Sequence, residues 1–231
     1  MEMYFILDKP AVAGNIGSAA RALKTMGFKR LRLIDPCDHL CTEAKMFAHG
    51  SVDILEQAEV FRTFSEARKG IDFLVGTTAK KRMAHEDYSA PADVREMIKS
   101  KAGHIRTVGL VFGSEESGLP NEILQECDLA SSIPLSNPYP SLNLAQAVML
   151  YAYEFSALQL PLAVTNEPPA ESFAEMKRRA SRLLDVIGIP KGGPLHNRIL
   201  ERISRLGSLD VNLIHSVSAK LDETLGSGGK E

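Results

Sequence analysis

MYFILDKPAVAGNIGSAARALKTMGFKRLRLI (residues 3–34) is the stretch on which the fold turns. MYFIL (3–7) is an apolar run of strand type, and a glycine-containing loop follows it. SAARALKTMGF (18–28) then places its apolar residues at helical spacing, and RLRLI (30–34) alternates basic and apolar residues as a second strand does. Strand, helix and strand in about thirty residues is the unit from which parallel sheets are built.

The same alternation continues downstream. Thr42–His49 reads as a short helix, FLVG (73–76) and VGLVF (108–112) as buried strands bounded by glycines, and Asn121–Cys127 as a helix. Leu129–Leu135 gives a further strand and Leu142–Leu158 a long apolar helix. Residues 1–158 are therefore expected to form an α/β domain with a largely parallel sheet covered on both faces. QLPLAVTNEPPAE (159–171), with three prolines, reads as a linker. Beyond it the pattern is wholly helical over 172–226, in three amphipathic segments (172–188, 194–207 and 208–226), and 227–231 is a flexible tail.

Composition excludes several classes. No apolar run approaches the roughly 18 residues that cross a membrane. The N-terminal MEMYFILDKP has an acid at Glu2 and no basic n-region, which argues against a secretory signal. Three cysteines, Cys37, Cys41 and Cys127, make no disulfide framework and fit a reducing cytoplasm. Cys37, His39, Cys41 and His49 match no zinc spacing, so no metal is expected. With a net charge of −2, bulk electrostatics name no nucleic-acid partner. The clusters Lys29-Arg30-Arg32, Lys80-Lys81-Arg82 and Lys177-Arg178-Arg179 with Arg182 are read as solvated faces unless they border a site.

The first βαβ unit invites a dinucleotide-binding reading. Gly14 and Gly17 stand between strand and helix, and Asp35 closes the second strand near the position of a ribose-binding carboxylate. The fingerprint wants three glycines, however, and GNIGSA has two. Asn15 and Arg21 have no evident use in hydride transfer. A nucleotide-binding oxidoreductase stays as an alternative, as does the plain reading of Asn15 as an N-cap and Arg21 as a surface residue.

Three segments ask for one explanation: NIGSAAR (15–21), LVFGSEESGL (110–119) and YPSLNLAQAVMLY (139–151). In the second, a buried strand ends at Gly113 and Glu115 follows, at the strand edge where open α/β sheets bind ligands. In the third, Pro138 and Pro140 stiffen the approach to a helix whose mouth carries Ser141 and Asn143. In this order, the three resemble the SPOUT superfamily of RNA methyltransferases, in its SpoU (TrmH-like) branch. KTMGF (24–28) and AHGSVDI (48–54) add likeness to the TrmJ/LasT group within that branch.

The resemblance covers residues 1–158. It implies S-adenosylmethionine-dependent methylation of a ribose 2′-hydroxyl, with tRNA favoured over rRNA and a non-catalytic RNA-binding protein as a further alternative. It also implies a homodimer with its active site near the subunit interface, and a trefoil knot at the C-terminal end of the domain. The cofactor is expected against Thr77, Thr78, Ala79, Gly113, Ile133, Pro140, Ser141 and Leu142. Arg21, Asn15, Glu115, Ser141 and Asn143 are the expected catalytic set. Arg is a poor base, so binding a phosphate and steadying a developing alkoxide suits Arg21 better than taking the proton. Lys80, Lys81 and Arg82, next to the cofactor loop, are expected to meet RNA phosphates. Ser114 stands where some relatives have Arg.

Overall fold

The computed structural model describes residues 1–79, 88–137, 139, 141–159, 173–205, 214 and 216–221. Alternation along the first strand, β1 (Glu2–Asp8), sends Phe5 and Leu7 into one apolar cluster and Ile6 into another on the opposite face. The remaining strands are β2 (Arg30–Ile34), β3 (Glu59–Phe61), β4 (Phe73–Thr77), β5 (Tyr88–Ser89), β6 (Thr107–Phe112) and β7 (Leu129–Ser131). Among the described residues these seven form one sheet in the order β3-β2-β1-β6-β4-β7-β5. Every pairing is parallel. The chain runs outward from β1 through β2 to β3, and the later strands fill the other side, so the order reverses between β1 and β6.

The helices are α1 (Ala13–Thr25), α2 (Thr42–Ala48), α3 (Val52–Glu56), α4 (Phe64–Ala67), α5 (Pro91–Ser100), α6 (Asn121–Glu126), α7 (Leu144–Ser156), α8 (Phe173–Val186) and α9 (Pro194–Ser204). An aromatic series ties α7 to the sheet. Phe5 stacks on Phe112 with centroids 6.2 Å apart, and Phe112 meets Tyr151 edge-on at 5.4 Å.

Several boundaries differ from the sequence reading, each for a visible reason. The first helix begins at Ala13, so Gly14, Asn15 and Gly17 lie inside it and not in a loop. A Cβ on Gly17 would lie 2.1 Å from the Ala44 carbonyl oxygen: the glycine lets α1 press against α2. β7 stops at Ser131, four residues early, because the chain then turns off to wall a cavity. The cluster at Lys29-Arg30-Arg32 is not simply solvated. Arg32 is buried over the Tyr4 ring and donates to the Ala67 and Lys69 carbonyls at 2.7 and 3.0 Å.

Of the expected C-terminal segments, the first two are helical as α8 and α9. The linker (all but Gln159), most of the third segment and the tail lie outside the described residues. Ile214 and residues 216–221 are helical.

Candidate functional site

The loop after β6 is built around its own backbone. Ser114 and Gly118 form an antiparallel bridge, and Gly118 takes a φ of 68°. A Cβ on Gly113 would sit 2.0 Å from the Gly118 carbonyl carbon and the Leu119 nitrogen. Glycine is thus demanded at position 113 by this fold-back, a firmer reason than close approach of a ligand. The tight loop presents Glu115 at the point where the strand order reverses, where open parallel sheets form their crevice.

Glu115 reaches the start of α1. Its Oε2 accepts from the Ala11 N–H at 3.0 Å, and its Oε1 accepts from the Val12 N–H at 3.3 Å and from Asn15 Nδ2 at 2.8 Å. Val12, the N-cap of α1, has no capping side-chain bond of its own. A carboxylate from a distant loop therefore satisfies donors at this helix start and sits favourably in its dipole. Burial pushes the Glu115 carboxyl up, but these donors together outweigh it and hold its pKa below the usual carboxylate value.

Asn15 carries the network onward. Its Oδ1 accepts from Asn143 Nδ2 at 2.8 Å, while Asn143 Oδ1 accepts from the Ala145 N–H at 2.8 Å. Gln146 Oε1 accepts from the Asn143 N–H in return, which closes a capping box on α7. A backbone N–H can only donate and a carboxylate only accept, so both amide orientations follow from the two ends of the chain of bonds. Asn143, and not Ser141, is the cap of α7. Asn15 is not a cap at all.

Beside this network lies a cavity of about 210 Å³ between the C-terminal ends of β4, β6 and β7. Its walls include Thr77, Thr78, Ala79, Gly113, Ile133, Ser141 and Leu142, together with Glu115. Pro140 lies outside the described residues, as do Lys80, Lys81 and Arg82. Sequence reasoning missed Phe112, Leu135, Leu144, Ala147 and Tyr151, which also line it. Tyr151 closes the quoted third motif but reads there as one more apolar position.

Burial pushes the Tyr151 phenol far up, so it is a neutral donor. It donates to Ser131 Oγ at 2.8 Å, which donates to the Ser89 carbonyl at 2.9 Å. Arg21 is placed elsewhere. It is exposed on α1, six residues beyond Asn15, and is not among the cavity walls. Among the described residues no group of three or more His, Cys, Asp or Glu could hold a metal ion.

Comparison with known proteins gives this geometry a setting. The sequence profile of the SpoU rRNA Methylase family matches residues 2–153. The chain is 35% identical to the protein named "Uncharacterized tRNA/rRNA methyltransferase LasT" of Escherichia coli, over 97% of this chain and 99% of that one. It is 36% identical to the tRNA (cytidine-2'-O-)-methyltransferase TrmJ of Methanocaldococcus jannaschii, over 64% of this chain and 65% of that protein. Among solved structures, the SpoU methyltransferase AviRb of Streptomyces viridochromogenes in complex with the cofactor AdoMet superposes with a TM-score of 0.55 at 25% identity, covering 69% of this chain and 61% of that one.

Proposed function

The chain belongs to the SpoU rRNA methylase family, and on that premise we propose that it is an S-adenosylmethionine-dependent methyltransferase of a ribose 2′-hydroxyl in RNA, with tRNA as the favoured substrate. The observation that carries this reading is the meeting of the three motifs. Glu115, Asn15 and Asn143, up to 128 positions apart, join in one run of hydrogen bonds beside the cavity. Gly14 and Gly17 serve helix packing instead of a phosphate, which removes the main support for the oxidoreductase alternative.

The cavity suits the cofactor chemically. Ile133, Leu135, Leu142 and Leu144 give apolar surface for an adenine, while Thr77, Thr78, Ser117 and Ser141 give hydroxyls for ribose and amino-acid groups. When bound, S-adenosylmethionine supplies an electrophilic methyl group on a cationic sulfonium. Every donor to Glu115 in its hydrogen bonds is neutral, so its carboxylate leaves negative charge at the wall that a cation would face. Asn15 and Asn143 are then positioning residues that hold Glu115 and the mouth of α7. Ser141, exposed at the rim, is placed to meet the acceptor sugar.

Arg21 needs a second chain. On the homodimer reading it reaches the partner's cavity, binds the phosphate beside the acceptor and steadies the alkoxide as the proton leaves. An apolar stripe on α7, next to α1, supports such an interface: Leu150 and Tyr153 are 42% and 65% exposed. The trefoil knot belongs to the same family reading. Its support here is that β6 and β7 are both inserted between earlier strands, an order that simple winding does not give. The catalytic domain is taken as residues 1–158, with 172–226 as an extension and the cytoplasm as its place of work.

The test is transfer of labelled methyl from S-adenosylmethionine to bulk tRNA and, separately, rRNA, followed by nucleoside mass spectrometry. Label in a 2′-O-methyl nucleoside is expected, with Arg21→Ala reducing turnover by about 100-fold or more at unchanged cofactor affinity. Cofactor and RNA binding without label in either pool would favour the non-catalytic alternative. Wild-type turnover in Arg21→Ala would end the role given to that residue.

A further inference from the structure

The buried stripe of α7 is apolar with one exception. Leu144, Val148, Tyr151, Ala152 and Phe155 are buried at helical spacing, and of these only Tyr151 carries a polar side-chain atom. Phenylalanine would fill nearly the same volume with no hydroxyl to satisfy. A buried phenol needs a partner, and once partnered it specifies direction as well as packing. Tyr151 is 1% exposed, its ring meets Phe112 edge-on, and it also walls the cavity.

The phenol reaches the last residue of β7. Ser131, fully buried, lies between two strands and pairs with Thr77 of β4 on one side and Ser89 of β5 on the other. A carbonyl can only accept, so Ser131 Oγ donates to the Ser89 carbonyl at 2.9 Å and offers a lone pair to the Tyr151 hydroxyl at 2.8 Å. The Ser131 carbonyl accepts in turn from the N–H of Thr78, the first residue past β4, at 2.9 Å. One hydroxyl thus holds the residue to which the Thr77–Ala79 wall is bonded. The same helix has a second attachment. Its cap Asn143 donates to Asn15, whose amide donates to Glu115. Asn143 and Tyr151 are about 12 Å apart along the helix axis at 1.5 Å per residue. A single helix therefore fixes the spacing between the cofactor wall and the Glu115 network.

From this geometry we infer that Tyr151 is a positioning residue for S-adenosylmethionine: through Ser131 it sets the Thr77–Ala79 wall, at a distance from the Glu115 network that α7 fixes. The inference rests on the methyltransferase reading and deepens it, by giving the cofactor's seat a residue whose hydroxyl acts through another side chain. Methyl transfer needs donor and acceptor at a defined separation, and a wall set before the cofactor arrives supplies one half of that alignment. Without the phenol, Ser131 loses one of the two hydrogen bonds of its side chain. The wall must then be ordered as the cofactor binds, which weakens binding. Once bound, the cofactor itself holds the wall in place, so the effect falls on affinity and not on the chemical step.

Tyr151→Phe tests this, because it keeps the ring against Phe112 and removes only the hydroxyl. Its affinity for S-adenosylmethionine, measured by calorimetry on the full chain, should fall about fivefold. With bulk tRNA as acceptor, kcat at saturating cofactor should stay within about twofold of the wild type. In the ligand-free variant amide exchange at Thr78 should quicken, and saturating S-adenosylmethionine should return it to the wild-type rate. Ser131→Ala should lose at least as much affinity, and the double variant no more than Ser131→Ala, since the partner of the phenol is already gone there. Ser204→Ala is the control. It deletes another fully buried hydroxyl, bonded to the Leu200 carbonyl at 3.0 Å, and should lower stability without moving cofactor affinity. An unchanged affinity in Tyr151→Phe, a loss of kcat at unchanged affinity, or an equal loss of affinity in Ser204→Ala overturns the role of Tyr151, while methylation by the wild type leaves the enzyme reading intact. Failure of the wild type to bind S-adenosylmethionine overturns both.

Discussion

Glu115 and Asp128 stand at opposite edges of the sheet, the first just beyond β6 and the second just before β7. Each accepts from backbone N–H groups of another segment, so each ties distant parts of the chain together. They differ in what completes the shell. Asp128 is buried and takes a cation, Lys177 of α8. Glu115 is half-buried and takes only neutral donors. A paired charge is suited to attaching a helix, since its field is cancelled locally. A carboxylate satisfied by neutral donors keeps its field, which is useful only where an opposite charge is to arrive. On the function proposed above, the difference gives attachment to one edge and chemistry to the other.

Breaking the attachment should have the largest effect on stability. Asp128→Ala leaves Lys177 and the Leu74 N–H without their shared acceptor in a buried place, and should cost about 3 kcal/mol in urea unfolding. Cofactor affinity should hold in the protein that remains folded. If Asp128→Ala abolished cofactor binding without lowering stability, the division of labour between the edges would be wrong.

Lys101 tests the same side of the molecule in the opposite direction. It is 0% exposed, and its Nζ has no hydrogen-bond partner among the described residues. Burial, aided by the nearby Arg205 charge, lowers its pKa from 10.5 to about 8. A lysine depressed in the folded state is a liability wherever it is charged. Its cost is full below pH 8 and disappears as pH rises through 10.5, so stability should rise across that window. Lys101→Met should therefore stabilise the protein at pH 7 by about 2 kcal/mol and flatten the rise. A loss of stability on this substitution would show that Lys101 has an acceptor in the protein in solution.

Glu115 gives the milder counterpart. Its depressed pKa means that its contribution is present above the ordinary carboxylate value and is lost as pH falls through the lowered one. Glu115→Gln should cost about 1 kcal/mol at pH 7 and flatten the acid limb of the stability curve. Turnover should fall more than stability does, because Gln brings no charge to the cavity wall. Equal turnover in Glu115→Gln and the wild type would mean that only the hydrogen-bonding shape of this residue matters.

Much of this edge was legible in the sequence. Glycine-bounded apolar runs such as VGLVF give β6 directly, and Glu115 after a strand end is a local signal. The network joining Glu115, Asn15 and Asn143 was not, because contacts between residues more than a hundred positions apart leave no periodicity. Two-residue β5 is too short to leave a pattern in the sequence, and Pro91 at the first position of α5 is that helix's one strong local signal. Arg32 and Lys177 look like surface charge in sequence. Only the fold reveals the ring beneath one and the buried carboxylate beside the other.

Among the described residues a slender path also joins the two edges, and the smallest predicted effect measures it. At the end of α9, Arg205 donates from Nη1 to Ser89 Oγ at 3.2 Å. Ser89 lies in the edge strand β5, whose carbonyl oxygen accepts from the Ser132 N–H at 3.1 Å and from Ser131 Oγ at 2.9 Å. Ser131 in turn accepts from Tyr151 through its hydroxyl and, through its carbonyl, from the Thr78 N–H at 2.9 Å. Tyr151 and Thr78 both wall the cavity. A two-residue strand has few bonds to lose, so releasing Arg205 should loosen it first. In Ser89→Ala, which removes the acceptor with little change of shape, amide exchange at Thr78 and Ser132 should quicken several-fold in the ligand-free protein. Arg205→Ala, which also breaks the ion pair with Glu201, should quicken exchange at least as much, and the double variant should not exceed Arg205→Ala, because the Ser89 bond is already lost there. Additive effects would mean that Arg205 acts on the cavity by another route, and unchanged exchange in both would leave the two edges energetically independent.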